Sequence, residues 1–170
     1  MIFRKTQKSD REQVVSLWQQ AREYFKEQRI DQWQDGYPDI ETLKEDIRSG
    51  ESYVLEDSHT GRILATAYIS LAPEPDYREI FEGSWQWEYP YGVVHRVAVS
   101  PDHKGQGLAG ILISHARDMC RERGAGSLRI DTHEDNRSMQ RMLEKNGFTR
   151  RGVIYLGRDG ARRIAFEGRV

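Results

Sequence analysis

The segment from Val97 to Ala109 constrains this chain most, because it joins three kinds of local structure within thirteen residues. An apolar, largely β-branched run ends just before Pro101, and a basic, glycine-rich turn follows. A helical pattern then starts at once. A strand that enters a helix through such a turn points several backbone N–H groups, and the positive end of the helix dipole, at one place. That arrangement is typical of a site for a phosphate group.

Length, charge and cysteine content exclude several classes of protein. The 170 residues suffice for a full hydrophobic core, and we predict a single domain over residues 1–170. With 26 basic and 27 acidic side chains the formal net charge is -1, so nucleic acid and membrane partners are not expected. One cysteine, Cys120, excludes an internal disulfide and a cysteine-cluster metal site, and no metal is expected. Without a long apolar run or a signal-peptide core, a cytoplasmic protein is expected.

Hydrophobic periodicity predicts strands that alternate with helices. The predicted strands are Met1–Lys5, Ser52–Glu56, Ile63–Leu71, Tyr91–Val99, Leu128–Asp131, Val153–Leu156 and Arg163–Glu167. The predicted helices run from about Asp10 to Arg29, from a cap at Asp39 to a stop at Gly50, from about Gly107 to Arg123, and over Asn136–Asn146. This order predicts an α/β fold (α+β by some schemes) with a mixed, mostly antiparallel central sheet and helices on both faces.

The glycines of the turn suit a ligand that approaches the main chain. Gly105 and Gly107 carry no Cβ atom, and Lys104 and His103 add side-chain donors. A glycine-rich turn without a ligand is the alternative, because such turns are common. A Walker loop does not fit, since no Gly-Lys-Ser/Thr follows, and a dinucleotide site fits poorly, since Asp131 lies only loosely at the expected distance.

Two motifs in this chain resemble those of GNAT-superfamily N-acetyltransferases. The run Lys104-Gly105-Gln106-Gly107-Leu108-Ala109 resembles the acyl-CoA signature [Q/R]-x-x-G-x-[G/A] of that family, after a similar strand end. Asn136 stands eleven positions before Gly147-Phe148, which is similar to the family's N…GF segment. One departure is Lys104, where the family usually has Arg or Gln. Lysine keeps the charge but loses the planar fork, so we expect one weaker phosphate contact.

The resemblance implies acetyl-CoA as co-substrate and a GNAT-like fold in which strands Tyr91–Val99 and Leu128–Thr132 splay apart to hold it. It implies that the pantetheine arm pairs with the strand backbone and that the diphosphate lies on the amides of the turn. Asn136 would contact the arm, although a helix N-cap is an equal alternative. The residues implied in acyl-CoA binding are Val97, Ala98, Val99, Lys104, Gly105, Gln106, Gly107, Leu108, Ala109 and Asn136.

Acetyl transfer to an amine needs a base, and His95 is the first candidate because imidazole titrates near neutral pH. Some relatives in the arylalkylamine branch carry a histidine at the matching place. A core histidine is the alternative reading. Glu88 is the rival base, although a surface carboxylate is its simpler interpretation, and Asp131, His133 or a water relay remain open. A backbone amide of Val97 or Ala98 would stabilise the developing oxyanion.

The family's usual proton donor to the leaving thiolate is missing from this chain. Many members carry a tyrosine four residues before the Gly-Phe pair, where this chain has Leu143. Either Tyr155 or a water replaces it, or the thiolate leaves without help. Cys120 falls on the apolar side of a predicted helix, which indicates burial as a small hydrophobic residue and not an acyl-cysteine route.

Aromatic residues in two connections are candidates for the acceptor site. The resemblance places Trp33, Tyr37 and Trp85 there, and aromatic faces beside carboxylates suit a cationic amine. Closing the ends of the core is the alternative for each of them.

The leading hypothesis is an acetyl-CoA-dependent N-acetyltransferase acting on a primary amine, of a small molecule or a peptide, by direct attack in a ternary complex. The alternatives are a non-catalytic acyl-CoA binding or sensing module and a dinucleotide-binding enzyme. An exposed terminal strand allows a homodimer.

Overall fold

A computed structural model describes all of residues 1–170 as a mixed sheet of seven strands with four helices. The strands are β1 (Ile2–Lys5), β2 (Ser52–Glu56), β3 (Ile63–Ser70), β4 (Tyr91–Val99), β5 (Ser127–Thr132), β6 (Phe148–Tyr155) and β7 (Arg162–Arg169). The helices are α1 (Arg11–Glu27), α2 (Ile40–Ser49), α3 (Leu108–Glu122) and α4 (Arg137–Lys145). The order in the sheet is β1-β2-β3-β4-β5-β7-β6, so the predicted α/β architecture with a mixed sheet is confirmed.

The chain forms two compact units. The first comprises Met1–Ile69 with His95–Leu112, and the second comprises Ser70–Val94 with Ile113–Val170. The boundary therefore crosses β4 between Val94 and His95. The single domain over residues 1–170 stays a prediction. None of the four helices is long and apolar enough to span a membrane.

The first unit contains the antiparallel strands β1, β2 and β3 together with α1 and α2. Its apolar core includes Val14, Trp18 and Phe25 of α1. The Asp39 side chain caps α2 by accepting a hydrogen bond from the Thr42 amide at 2.8 Å, and Gly50 ends the helix with φ 72°. Both caps were predicted from the residue types, because aspartate accepts from the first free amides and glycine adopts the left-handed conformation easily.

The second unit contains β5, β6, β7 and the first half of β4. β4 and β5 pair in parallel over three residue pairs, from Tyr91↔Ser127 to Val93↔Arg129, whereas β7 lies antiparallel to both β5 and β6. The predicted start of β6 at Val153 was wrong, since the strand begins at Phe148. The exposed Thr149 and Arg150 between them lack the apolar pattern that indicates a strand.

Candidate active site

The glycine-rich turn after β4 contains two residues with a left-handed backbone. Gly105 and Gly107 both have φ 79°, and a Cβ atom on either would meet nothing within 4 Å. The backbone conformation, and not crowding, therefore requires glycine at these positions. The amide of Ile111 donates to the carbonyl of Gly107 at 3.1 Å and makes the first α-type hydrogen bond of α3. The amides that precede it in the first turn of α3 have no partner within the helix and can bind an anion.

Lys104 is exposed, and its ammonium lies 3.5 Å from the centroid of the Tyr24 ring on α1. A cation over an aromatic face is held electrostatically by the ring. This contact attaches the start of the turn to α1. The contact of Lys104 with a phosphate stays a prediction.

The second half of β4 departs from a regular strand at the residues predicted to face the thioester. Arg96 has φ 53°, which is uncommon for any residue other than glycine. His95, Arg96 and Val97 are all half-buried, whereas a regular strand alternates between its two faces. Ala98 is buried and Val99 is half-buried beyond this distortion. No sequence pattern marks an arginine in this conformation, so the sequence analysis missed it.

The Arg96 side chain is fixed by three partners in the first unit. Its guanidinium donates to both carboxylate oxygens of Asp46 on α2, from Nε to Oδ2 at 2.9 Å and from Nη2 to Oδ1 at 2.8 Å. Nη1 donates to the hydroxyl of Tyr37 at 2.6 Å. The guanidinium carbon lies 4.3 Å from the centroid of the Tyr68 ring on β3.

His95 belongs to the same polar and aromatic cluster. Its ring stacks on Tyr68 with a centroid distance of 5.9 Å and an interplanar angle of 24°. The Tyr68 hydroxyl donates to a carboxylate oxygen of Glu51 at 2.7 Å. His95 is therefore a half-buried residue beside charged and polar groups, and not a fully buried core histidine.

The other candidate bases have different surroundings. Glu88 is exposed in the connection before β4. Asp131 accepts a hydrogen bond from the buried Tyr77 hydroxyl at 2.7 Å. Burial, together with the nearby Asp131 carboxylate, raises the pKa of Tyr77 well above its ordinary value. His133 accepts from the Asp135 amide through Nδ1 at 3.1 Å, which is the turn network that was its alternative interpretation.

Asn136 forms the N-cap of α4. Its side-chain oxygen accepts a hydrogen bond from the Met139 amide at 3.1 Å, and only 5% of the residue is exposed. The capping alternative is thereby confirmed. A further contact of Asn136 with an acyl-CoA stays a prediction.

Comparison with known proteins adds the family to this geometry. Residues 18–148 match the Acetyltransferase (GNAT) family. The chain belongs to this family. Its members transfer acyl groups from acetyl-CoA.

Several relatives of this GNAT chain match it over nearly its whole length. An acetyltransferase of Yersinia enterocolitica is 27% identical over 158 residues, or 93% of this chain and 94% of the relative. A crystal structure of a GNAT-family acetyltransferase from Streptococcus agalactiae matches with a TM-score of 0.87 and 29% identity, over 99% of this chain and 95% of the other. The NatC complex bound to Gag peptide and CoA shares the fold alone, with a TM-score of 0.69 and 13% identity over 99% and 98% of the two chains.

This GNAT chain has no tyrosine at the family's usual donor position. Leu143 is fully buried there, on α4 of the second unit. Tyr155, the candidate replacement, is 46% exposed at the end of β6. Its ring packs edge to face against the Phe81 ring, with a centroid distance of 5.4 Å. Protonation of the leaving thiolate by Tyr155 stays a prediction.

Cys120 is a core residue of the second unit and no nucleophile. It is fully buried, and burial raises the pKa of its thiol to about 11. A thiol with that pKa stays protonated at neutral pH and does not attack a thioester. A Cβ atom added at Gly92 would lie 2.3 Å from the Cys120 sulfur.

This close approach leads to a stability prediction. Gly92→Ala is expected to lower the free energy of unfolding by about 1–3 kcal/mol, because it overpacks the core. Adding Cys120→Ala removes the sulfur and should restore much of the loss, measured by urea unfolding of the single and double variants. A double variant that is less stable than Gly92→Ala would contradict this packing.

The three aromatic candidates for the acceptor site have unequal surroundings. Trp33 is 8% exposed, and its ring centroid lies 5.6 Å from that of Phe25 in the core of the first unit. A role of Trp33 at the acceptor site stays a prediction. Tyr37 is half-buried and holds Arg96. Trp85 is half-buried in the second unit, where its Nε1 donates to the carbonyl of Tyr77 at 3.0 Å.

Proposed function

We propose that this GNAT protein transfers an acetyl group from acetyl-CoA to a primary amine of a small molecule or a peptide, by direct attack within a ternary complex. The observation that carries the proposal is the turn between β4 and α3. There Gly105 and Gly107 in left-handed conformations leave the first amides of α3 available to a diphosphate. Membership of the GNAT family supplies the acyl donor.

On this proposal the backbone around the distorted part of β4 receives the acyl-CoA. Backbone groups of Val97 and Val99 pair with the pantetheine arm, and the amides from Gly105 to Ala109 bind the diphosphate. The amide of Val97 or Ala98 donates to the thioester oxygen and stabilises the negative charge that develops there. Holding both substrates in line supplies a large part of the rate.

His95 is the proposed base. It takes one proton from the ammonium form of the acceptor, and the neutral nitrogen attacks the thioester carbon. The C–S bond then breaks, CoA leaves as the thiolate, and the second proton of the attacking nitrogen passes through water to that thiolate, which gives the neutral amide and CoA thiol. Two observations support this role. His95 lies on β4, one residue from Arg96 and two from Val97, and its half-buried ring stacks on Tyr68. Glu88 is the second candidate, since it is exposed just before the same strand.

His95→Ala is expected to lower kcat by about 100-fold near neutral pH, the scale of one lost general base. The deficit should shrink at alkaline pH, because a larger share of the amine is then neutral without a base. His95→Gln keeps the size and polarity of the side chain without its basic nitrogen and should behave similarly. Thiol release measured across pH checks both variants. An unchanged pH profile would assign the base to Glu88 or water, and Glu88→Gln would separate these two.

A non-catalytic acyl-CoA binding module is the second candidate, and the buried Leu143 at the usual tyrosine position favours it. One experiment separates the two functions. Acetyl-CoA is titrated by calorimetry, and CoA release is then followed with spermidine, tyramine and a short peptide as acceptors. An acetyltransferase binds and turns over with at least one amine, whereas a binding module binds and never turns over. Preference for NAD(H) over acetyl-CoA would contradict both.

A further inference from the structure

We propose that Arg96 is a positioning residue, whose side chain holds the backbone between His95 and Val97 in the conformation that directs an amide at the thioester. This inference rests on the proposed function. Arg96 is not among the groups proposed to bind acetyl-CoA or the acceptor amine, so its role would be indirect.

The first argument is the strain at Arg96. A non-glycine residue with φ 53° costs free energy and persists only where its surroundings fix it. In an ordinary strand the residue would return to the extended region, where the next amide points along the sheet ladder. The amide of Val97 follows the strained residue directly, so its direction depends on this conformation.

The second argument is the number of segments that hold the side chain. Asp46 belongs to α2, Tyr37 to the connection before it, and Tyr68 to β3. The two hydrogen bonds to Asp46 use the planar fork of the guanidinium, which fixes orientation as well as distance. The Arg96 side chain is only 12% exposed, so this attachment is shielded from solvent.

The third argument is that the ion pair is a poor source of stability. Burial raises the pKa of Asp46 although the Arg96 charge opposes this shift, so removing this carboxylate from water carries a cost that the pair must offset. A buried pair of this kind is often replaceable by apolar residues without loss of stability. We infer that the Arg96–Asp46 pair serves instead to hold β4 against α2 in a fixed orientation.

The test uses a probe that needs no acceptor amine. The infrared carbonyl stretch of [1-¹³C]acetyl-CoA falls to lower wavenumber when an amide donates to the thioester oxygen. Wild-type protein should show that shift on binding. Arg96→Gly, which adopts positive φ freely but has no side chain, should lose more than about half of the shift, while the Kd for acetyl-CoA changes less than about threefold. With any amine that is turned over, kcat should fall by about 100-fold, the effect of misplacing a group by about 1 Å.

The matched control is Arg29→Gly. Arg29 is exposed and also has a left-handed φ, 56°, so this variant makes the same substitution without removing an attachment to Asp46. Its carbonyl shift and kcat should equal those of the wild type. Asp46→Asn tests the attachment from its other end and should reproduce Arg96→Gly, with the double variant no worse than either single one.

The outcomes separate this inference from the proposed function. If wild-type protein binds no acetyl-CoA, the proposed function fails. If it binds with the expected shift and Arg96→Gly and Asp46→Asn retain both the shift and kcat, Arg96 is a purely structural residue and the inference is overturned. Should Arg96→Gly fail to fold, Asp46→Asn alone decides between the two.

Discussion

Gly107→Glu is expected to lower the affinity for acetyl-CoA by more than about 100-fold, equivalent to about 3 kcal/mol. Space for the new side chain is open, since a Cβ atom at Gly107 meets nothing within 4 Å. Its carboxylate instead competes for the free amides at the start of α3 and repels the diphosphate. Calorimetric titration with acetyl-CoA measures the loss.

Gly160→Glu is the matched control for this variant. Gly160 lies in the turn between β6 and β7, has φ 71°, and also has open space around its Cβ position. It therefore receives the same charge and the same backbone strain, about 1 kcal/mol or slightly more, away from the turn between β4 and α3. Both variants should lose similar stability, and only Gly107→Glu should lose affinity. If Gly107→Glu bound acetyl-CoA as tightly as Gly160→Glu, the turn would not be the diphosphate site.

The sequence predicted those parts of the fold that local chemistry determines. The bounds of β4 match because an apolar run leads to Pro101, and α2 begins and ends where Asp39 and Gly50 act as caps. The turn at Gly105 and Gly107 was predictable for the same reason, since glycine marks a left-handed backbone.

Features set by distant contacts were not predictable. The strained Arg96 depends on Asp46, fifty residues earlier, and on Tyr37, and nothing next to it in the sequence indicates a left-handed arginine. Trp33 is a candidate both for the acceptor site and for the core, and its burial against Phe25 depends on a contact that the residue type does not indicate. Residue type alone cannot separate these cases, because the deciding contact lies elsewhere in the chain.

Glu167→Ala is expected to destabilise the second unit by about 3–5 kcal/mol, the cost of leaving a buried charge without its partner. Glu167 is fully buried on β7, and its carboxylate accepts from Arg129 Nε at 3.1 Å and from the Ser127 hydroxyl at 2.9 Å. It also accepts from the Gln86 amide at 2.7 Å. Urea unfolding followed by circular dichroism measures the change.

Glu45→Ala is the control, because Glu45 pairs with Arg48 on the exposed face of α2. Exposed pairs of this kind contribute little, so the urea midpoint should not move measurably. A second readout follows from the Gln86 contact. Without Glu167 the connection before β4 loses an attachment, and limited proteolysis around residues 83–89 should become faster in Glu167→Ala than in Glu45→Ala.

Replacing both charged residues distinguishes two quantities: the stability lost when a buried cation has no carboxylate beside it, and the net contribution of the ion pair to stability. Arg129 is only 4% exposed, so Glu167→Ala leaves its charge buried without the carboxylate, whereas Arg129→Met with Glu167→Met removes both charges of this pair and keeps most of the volume. Arg151, whose Nε lies 3.7 Å from Glu167 Oε2, loses the carboxylate in either variant, so its contribution is common to both. The double variant should therefore be more stable than Glu167→Ala. It should remain below the wild type, because the buried Ser127 hydroxyl still lacks its acceptor, at about 1–3 kcal/mol, and the backbone amide of the exposed Gln86 loses the same carboxylate. A double variant no more stable than Glu167→Ala would mean that packing around Glu167, and not its charge, holds this part of the sheet.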